Sequence, residues 1–81
     1  MPRYHFDVRY DEEAWLTDPD GMELPHPTDA RREALLTAAE LAKDAVGRHS
    51  RISVRIRDSH PEPLLTVNIA VAEKKRDPGT A

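Results

Sequence analysis

The sequence predicts a two-layer α+β domain, in which a four-stranded, mostly antiparallel sheet carries one helix on one face. Residues 3–10 and 51–57 each alternate between apolar and polar side chains, which is the pattern of half-buried strands. Between these two runs, apolar residues recur at the spacing of an amphipathic helix. A chain of 81 residues has room for a single core, and the predicted element order is β-β-α-β-β.

The first hairpin is predicted from aromatic and β-branched residues. Tyr4, Phe6 and Val8 share one face of the first strand, because successive side chains of a strand point to opposite faces. Residues 14–17 predict a short second strand that pairs with the first. The facing of this second strand stays open, since Trp15 and the leucine after it are adjacent and cannot share a face.

Turn and capping residues set the limits of the helix. Residues 18–21, Asp-Pro-Asp-Gly, have the composition of a tight turn, and Pro25 and Pro27 predict a connector. Thr28 is the predicted N-cap, because its hydroxyl can accept a hydrogen bond from a free amide of the first turn. Gly47 is predicted to end the helix in the left-handed conformation.

The last strand, residues 64–72, follows a loop at 58–62 and contains neither a charge nor a proline. An exposed edge strand of this composition is prone to aggregation, so we expect it to lie in the centre of the sheet or to pair with another chain. The central position is the favoured interpretation, with the two hairpins side by side. Residues 74–81 are charged and are expected to form a disordered tail after a domain of residues 1–73.

The composition excludes several classes of function. The chain has no cysteine, which excludes a disulfide framework, a thiolate nucleophile and a cysteine-ligated zinc site. The serines lie outside any G-x-S-x-G context and the glycines form no phosphate-binding loop, so we expect no catalytic residues and no cofactor. No stretch is apolar and long enough for a membrane span or a signal peptide, and a cytoplasmic location is expected.

One face of the predicted sheet is rich in arginine. Because the apolar residues of the strands must face the helix, Arg9, Arg55 and Arg57 are expected to share the outer, solvated face with His5. Trp15, if it joins this face, would serve as an anchor, since protein interfaces are enriched in tryptophan and arginine. The structural alternative is an ordinary solvated sheet face without a binding role.

These five side chains are the predicted partner-binding residues. The expected partner is an unknown protein or another anionic partner, and a second copy of the chain is a further candidate, because a domain this small has a small core. Nucleic acid is a weaker candidate, since the net charge of −3 opposes the phosphate attraction that dominates such binding. A noncatalytic interaction or regulatory module is therefore the favoured function, and a nucleic-acid-linked regulator is the alternative.

A small metal-binding protein or hydrolase is a second alternative. His5 and Asp7 lie two residues apart on one strand face, a spacing that can bring two ligands to one metal ion. A metal site needs three or four converging ligands with supporting hydrogen bonds. The sequence supplies only this pair, so no metal site is predicted.

Several short motifs carry a family resemblance. They are Pro-Arg-Tyr-His-Phe-Asp at residues 2–7, Asp-Gly at 20–21, Glu-Leu-Pro at 23–25 and the helix start at 29–34. Through these motifs the chain resembles, over residues 2–72, a family of short, mostly alphaproteobacterial proteins known as domain of unknown function 6894. The resemblance implies the fold and no activity, since the family has no established catalytic residues. The strand–helix–strand order is also similar, more distantly, to the partner-binding domain of type II antitoxins of the HicB sort.

Overall fold

The computed structural model describes residues 1–71 and 76 and confirms the α+β fold. In this part of the chain the elements are β1 (Arg3–Tyr10), β2 (Met22–Glu23), α1 (Pro27–Ala45), β3 (Arg51–Arg57) and β4 (Leu65–Ala70). All neighbouring strands are antiparallel, and their order in the sheet is β2-β1-β3-β4. The β1–β2 and β3–β4 pairs therefore lie side by side, which is the predicted arrangement of two hairpins although β2 is not the predicted second strand, and α1 packs on β3 and β4.

The core lies between α1 and the apolar face of the sheet. Tyr4 contributes from β1, while Phe6 and Val8 pack at the margin of the core. A small alanine side chain lets the helix backbone approach the sheet, so branched residues of the sheet fill the space between the layers. The completely buried residues of this interface are Ile52, Val54 and Ile56 of β3 and Ala30, Ala34 and Ala38 of α1.

The predicted second strand at residues 14–17 is wrong. This segment forms a single bridge, in which the backbones of Leu16 and Val8 exchange hydrogen bonds of 2.7 and 3.0 Å. The strand that pairs with the start of β1 is instead β2, which lies after the tight turn. The adjacent Trp15 and Leu16 lack the alternation that fixes a strand on a half-buried sheet, and Leu16 stays 61% exposed.

The turn between these two segments requires its glycine. Gly21 has a φ of +73°, in the left-handed region that favours glycine. A Cβ at this position would lie 2.9 Å from the carbonyl oxygen of Tyr4. The chain can therefore pass close to β1 only because residue 21 has no side chain.

The predicted N-cap Thr28 implies a helix that begins at Asp29. The helix begins two residues earlier, at Pro27. His26 is the N-cap, with an extended backbone and no capping hydrogen bond from its side chain. Proline fits the first helical position, because its fixed φ suits the helix and its missing N–H would find no intrahelical partner there. At the other end Gly47 has a φ of +82°, which confirms the predicted left-handed stop.

The favoured central position of the last strand is also wrong. In the sheet that residues 1–71 form, β4 is an outer strand, because β3 has β1 as its other neighbour. The predicted alternation of β4 is confirmed: Leu65, Val67 and Ile69 pack against the core, and the residues between them are exposed. The strand is thus half-buried on one face and open along one edge.

Two further expectations concern the ends and the membrane. The predicted tail, residues 74–81, lies outside the described residues apart from Arg76, which is exposed. The predicted domain boundary at residue 73 lies outside them as well. Within the described part of the chain, no helix combines the length and the hydropathy needed to cross a membrane.

Candidate functional site

The sheet face opposite α1 brings the predicted site residues together. Antiparallel pairing places His5 opposite Arg57 and Asp7 opposite Arg55. Residues that lie directly opposite each other share a face. The arginine–tryptophan face, as we name it, consists of His5, Arg9, Trp15, Arg55 and Arg57 around Asp7.

Asp7 is the centre of this face and is completely buried. Its Oδ2 accepts hydrogen bonds from Nε and Nη2 of Arg55, at 3.0 and 2.8 Å, and from Nε of Arg57, at 2.6 Å. Its Oδ1 accepts hydrogen bonds from Nη2 of Arg57, at 3.1 Å, and from the backbone N–H of Asp18, at 2.9 Å. The buried carboxylate is thereby paired with two cations and a backbone donor, as a buried charge must be.

These contacts keep Asp7 ionised. Burial raises the pKa of its carboxyl group, but hydrogen bonds from Arg57, the Asp18 N–H and Arg55 outweigh burial and lower the pKa from 3.8 to about 2. The hydrogen bond to Asp7 in turn raises the pKa of the Arg57 guanidinium. At neutral pH Asp7 is therefore a fixed negative charge and not a proton donor.

The segment after β1 folds back along this sheet, and Asp18 fastens it. The Asp18 carboxylate accepts hydrogen bonds from the backbone N–H groups of Phe6, Asp20 and Gly21, at 3.1, 3.2 and 3.1 Å. Burial raises the pKa of this carboxyl group, and the three hydrogen bonds outweigh burial and lower it. The carbonyl oxygen of Asp18 accepts a hydrogen bond of 2.9 Å from Nδ1 of His5, so this nitrogen carries the imidazole proton.

Trp15 lies over the guanidinium groups of two arginines. The Cζ atom of Arg55 is 4.2 Å from the indole ring centroid, and that of Arg9 is 4.9 Å from it. A cation this close to the face of an indole is attracted by the ring quadrupole. The facing that the sequence left open is thus resolved, since the half-buried Trp15 joins the arginines.

The expectation of a solvated outer face is wrong at its centre. The side chains of Arg55 and Arg57 are 23% and 37% exposed, and that of Asp7 is 0% exposed. Sequence reasoning placed the arginines on one face but missed that Asp18 would help to bury the carboxylate between them. The signal was present in the Asp-Pro-Asp-Gly turn, because an aspartate that opens a turn often accepts bonds from nearby amides.

A second polar cluster joins the end of β1 to the start of β3. Nδ1 of His49 lies 2.9 Å from Oδ2 of Asp11 and 3.9 Å from Oε2 of Glu13. The other oxygen of Asp11, Oδ1, accepts hydrogen bonds from the backbone N–H groups of Ser50 and Arg51, at 2.7 and 3.1 Å. The hydrogen bond with His49 is the largest cause that lowers the pKa of Asp11.

This second cluster is best explained as a structural clamp. Ligand atoms of Asp11, Glu13 and His49 lie within 4.8 Å of one another, which is close enough to share a metal ion. Both oxygens of Asp11 already accept hydrogen bonds, and the ring of His49 packs against Tyr10 at a tilt of 35°, with centroids 4.7 Å apart. Asp11 also adopts a left-handed φ of 53°, which these contacts hold in place.

The fold and the face define a class of protein: a small α+β domain whose sheet holds arginines around a buried carboxylate. The chain belongs to the family described as domain of unknown function (DUF6894), whose model matches residues 3–70. This match confirms the resemblance carried by the short motifs. No curated protein and no solved structure matches the chain.

Proposed function

We propose that the chain is a small noncatalytic protein-interaction module that binds an acidic protein segment on its arginine–tryptophan face. The observation that carries this proposal is the arrangement around Asp7. This one carboxylate orients two arginines, Arg55 and Arg57, while Trp15 lies over Arg55 and Arg9. Arginine and tryptophan are the residue types that most often dominate protein-binding energy.

The arginines are ordered before any partner arrives. Each of Arg55 and Arg57 makes two hydrogen bonds to Asp7, which fixes the plane of its guanidinium group. Among the described residues, neither Nη1 atom has a hydrogen-bond partner, and the heads remain partly exposed. Binding a partner carboxylate would then cost less side-chain entropy, about 0.5–1.5 kcal/mol less for each long side chain already immobilised.

The guanidinium groups of the face favour an acidic partner. Arg9, Arg55 and Arg57 carry three positive charges: Asp7 is buried between the last two, Glu12 lies 3.9 Å from Nη2 of Arg9, and Asp18 lies near Arg57, so the exposed guanidinium donors rather than a large net charge favour an acidic partner. Guanidinium groups bind carboxylates through paired, charge-assisted hydrogen bonds. The acidic balance of the whole chain disfavours a long nucleic acid, whose binding depends on attraction along many phosphates.

The carboxylates near the face support a noncatalytic role. The pKa values of Asp7 and Asp18 both lie below the ordinary range because hydrogen bonds outweigh burial. A general acid or base works best with a pKa near the working pH. These two groups are instead permanent anions at neutral pH, which is what orienting the arginines and the backbone requires.

The test is a titration of the ¹⁵N-labelled protein with a hexaglutamate peptide, followed by NMR. We expect the largest shifts at the Nε–H groups of Arg9, Arg55 and Arg57 and at the indole N–H of Trp15. Arg9→Gln removes a positive charge from the face and Trp15→Ala removes its aromatic ring, so both variants are expected to bind more weakly. Neither residue bonds to Asp7, so the hydrogen bonds at the centre of the face stay intact. Arg31→Gln, which removes an exposed charge on α1, is the matched control.

Two outcomes would contradict the proposal. Equal binding by Arg9→Gln, Trp15→Ala and the wild type would place the acidic peptide elsewhere. Tighter binding of a single-stranded oligonucleotide than of a peptide of equal charge would favour the nucleic-acid-linked regulator instead.

A further inference from the structure

The outer edge of β4 carries backbone groups that no described residue satisfies. The N–H of Val71 donates to the carbonyl oxygen of Ser50 at 2.7 Å, which fixes the alternation of bonds along the β3–β4 ladder. Because bonding alternates residue by residue in an antiparallel pair, Thr66, Asn68 and Ala70 point their N–H and C=O groups away from β3. In residues 1–71 there is no strand on that side.

The edge also lacks the features that usually protect a free strand. Residues 64–71 contain no charged residue and no proline, although lysine and proline are common on exposed edges. The opposite edge of the sheet differs, because β2 is only two residues long and Glu23 pairs there with Arg3 at 3.4 Å. One edge of the sheet is therefore short and charged, and the other is longer and neutral.

We propose that a second copy of this chain pairs antiparallel with β4 and extends the sheet across a twofold axis. Opposite residues must share a face, and the three residues with outward bonds must meet one another. Only a register centred on Asn68 does both for all three residues: Asn68 faces Asn68 of the second copy, and Thr66 faces Ala70. This inference does not depend on the acidic partner, which would bind the arginine–tryptophan face.

The helix supplies a second contact along the same seam. Leu35, Ala39 and Ala42 of α1 and the C-cap residue Val46 follow one another at intervals of four, three and four, so they lie along one flank of the helix. Leu35 and Val46 are 38% and 68% exposed. The connection from β2 through α1 to the parallel strand β3 turns this flank towards β4 when it has the usual right hand.

The position of Val46 agrees with that orientation. Val46 lines the same surface groove as Ala70 and Val71, at the end of β4. The apolar flank of α1 and the neutral edge of β4 therefore form one continuous surface on the same side of the molecule.

The distance between α1 and the β4 edge brings the helices of two paired copies close together. A twofold axis perpendicular to the sheet keeps both helices on the same side. α1 packs on β3 and, less extensively, on β4, so at a strand spacing of about 4.8 Å its axis lies about 5–7 Å from a seam beside β4. The two helices would then be about 10–14 Å apart, and the lower end of this range is the spacing of packed helices. Small alanines at 39 and 42 suit such an approach.

The edge has no charge with which to select a charged partner, whereas a strand paired with itself across a twofold axis matches its own pattern.

Light scattering at micromolar concentration should give twice the 9.2 kDa mass of one chain. Because the chain has no cysteine, Asn68→Cys introduces a single thiol. In the proposed register residue 68 forms a hydrogen-bonded pair with its copy, with Cα atoms about 5.5 Å apart, and the side chains of such a pair are too far apart for a relaxed disulfide. A short bismaleimide, which bridges two nearby thiols, should then link the two copies covalently.

Thr66→Cys is the matched control, on the same strand and also exposed, and it should not link because it faces Ala70 of the second copy. Ala39→Lys should reduce the mass to that of one chain, while Ser59→Lys, in the exposed loop, should leave it doubled. Retention of the monomer mass by the wild type would overturn the proposal. Linkage through Thr66→Cys but not through Asn68→Cys would overturn it too, because the register would be different.

Discussion

The arginine–tryptophan face and the outer edge of β4 belong to one sheet and have opposite chemistry. On the face, three arginines and a tryptophan surround Asp7, whose carboxylate is buried and fully bonded. Along the edge, residues 64–71 carry no charge, and backbone groups of Thr66, Asn68 and Ala70 point outward. In the proposed interactions, the face would bind through charges held in place by internal hydrogen bonds, and the edge would bind through backbone groups that have no partner among the described residues.

This difference separates the stability of the fold from its recognition. Removing a charge at the centre of the face disturbs the fold, because the remaining groups lose a buried partner. Changing an exposed side chain on the edge leaves the core in place and alters only what pairs with β4. The two surfaces can therefore be tested one at a time.

The largest effect is expected from Asp7→Ala. This change leaves two arginines and the Asp18 N–H without their acceptor, and breaking a buried ion pair in this way costs about 3–5 kcal/mol. The heads of Arg55 and Arg57 reach solvent, so we expect the lower end, about 3 kcal/mol of unfolding free energy. Urea denaturation followed by circular dichroism measures the change.

Asp20→Ala is the control for this measurement. Asp20 is an exposed carboxylate in the turn that begins with Asp18, and its side chain accepts no hydrogen bond among the described residues. We expect a change of about 0.5 kcal/mol or less. Equal effects of the two substitutions would show that Asp7 is not the centre of the face.

The two surfaces also differ in how far the sequence predicts them. Period-two alternation correctly placed Arg9, Arg55 and Arg57 on one face, because a side chain of a strand can lie on only one of two faces of the sheet. It did not predict that Asp18 covers Asp7, since the contact spans eleven residues and depends on the path of a loop without alternation. The predicted central position of β4 was wrong for a related reason. A strand without charges is compatible with the centre of a sheet and also with an edge that pairs with another chain.

The next largest effect is expected in acid. The pKa of Asp7 is lowered from 3.8 to about 2 in the folded chain, so its contribution to stability is complete above pH 3.8. The contribution is lost as the pH falls through 2, because protonation then removes the anion that the arginines bind. A shift of this size corresponds to about 2 kcal/mol of unfolding free energy.

Asp7→Asn identifies the group responsible for this acid loss. The amide cannot be protonated in this range, so the variant should be less stable at neutral pH and should lose less stability on acidification. Asp11 and Asp18, whose pKa values are also lowered, would account for the remaining loss. Parallel stability curves of the wild type and Asp7→Asn between pH 5 and pH 2 would contradict the assignment to Asp7.

The smallest effect, and the one that compares the two surfaces directly, is expected from salt. Raising the ionic strength from about 0.15 M to 1 M shortens the screening length from about 8 Å to about 3 Å. Binding of hexaglutamate to the partly exposed arginines should weaken roughly threefold, which is about 0.7 kcal/mol. Pairing along β4 should not weaken, because residues 64–71 carry no charge and burial of apolar surface does not depend on screening. Fluorescence of Trp15 follows the first equilibrium and light scattering the second, in the same samples. Peptide binding that resists salt would remove the arginines from recognition, and dissociation of the doubled mass by salt would place charges in the seam.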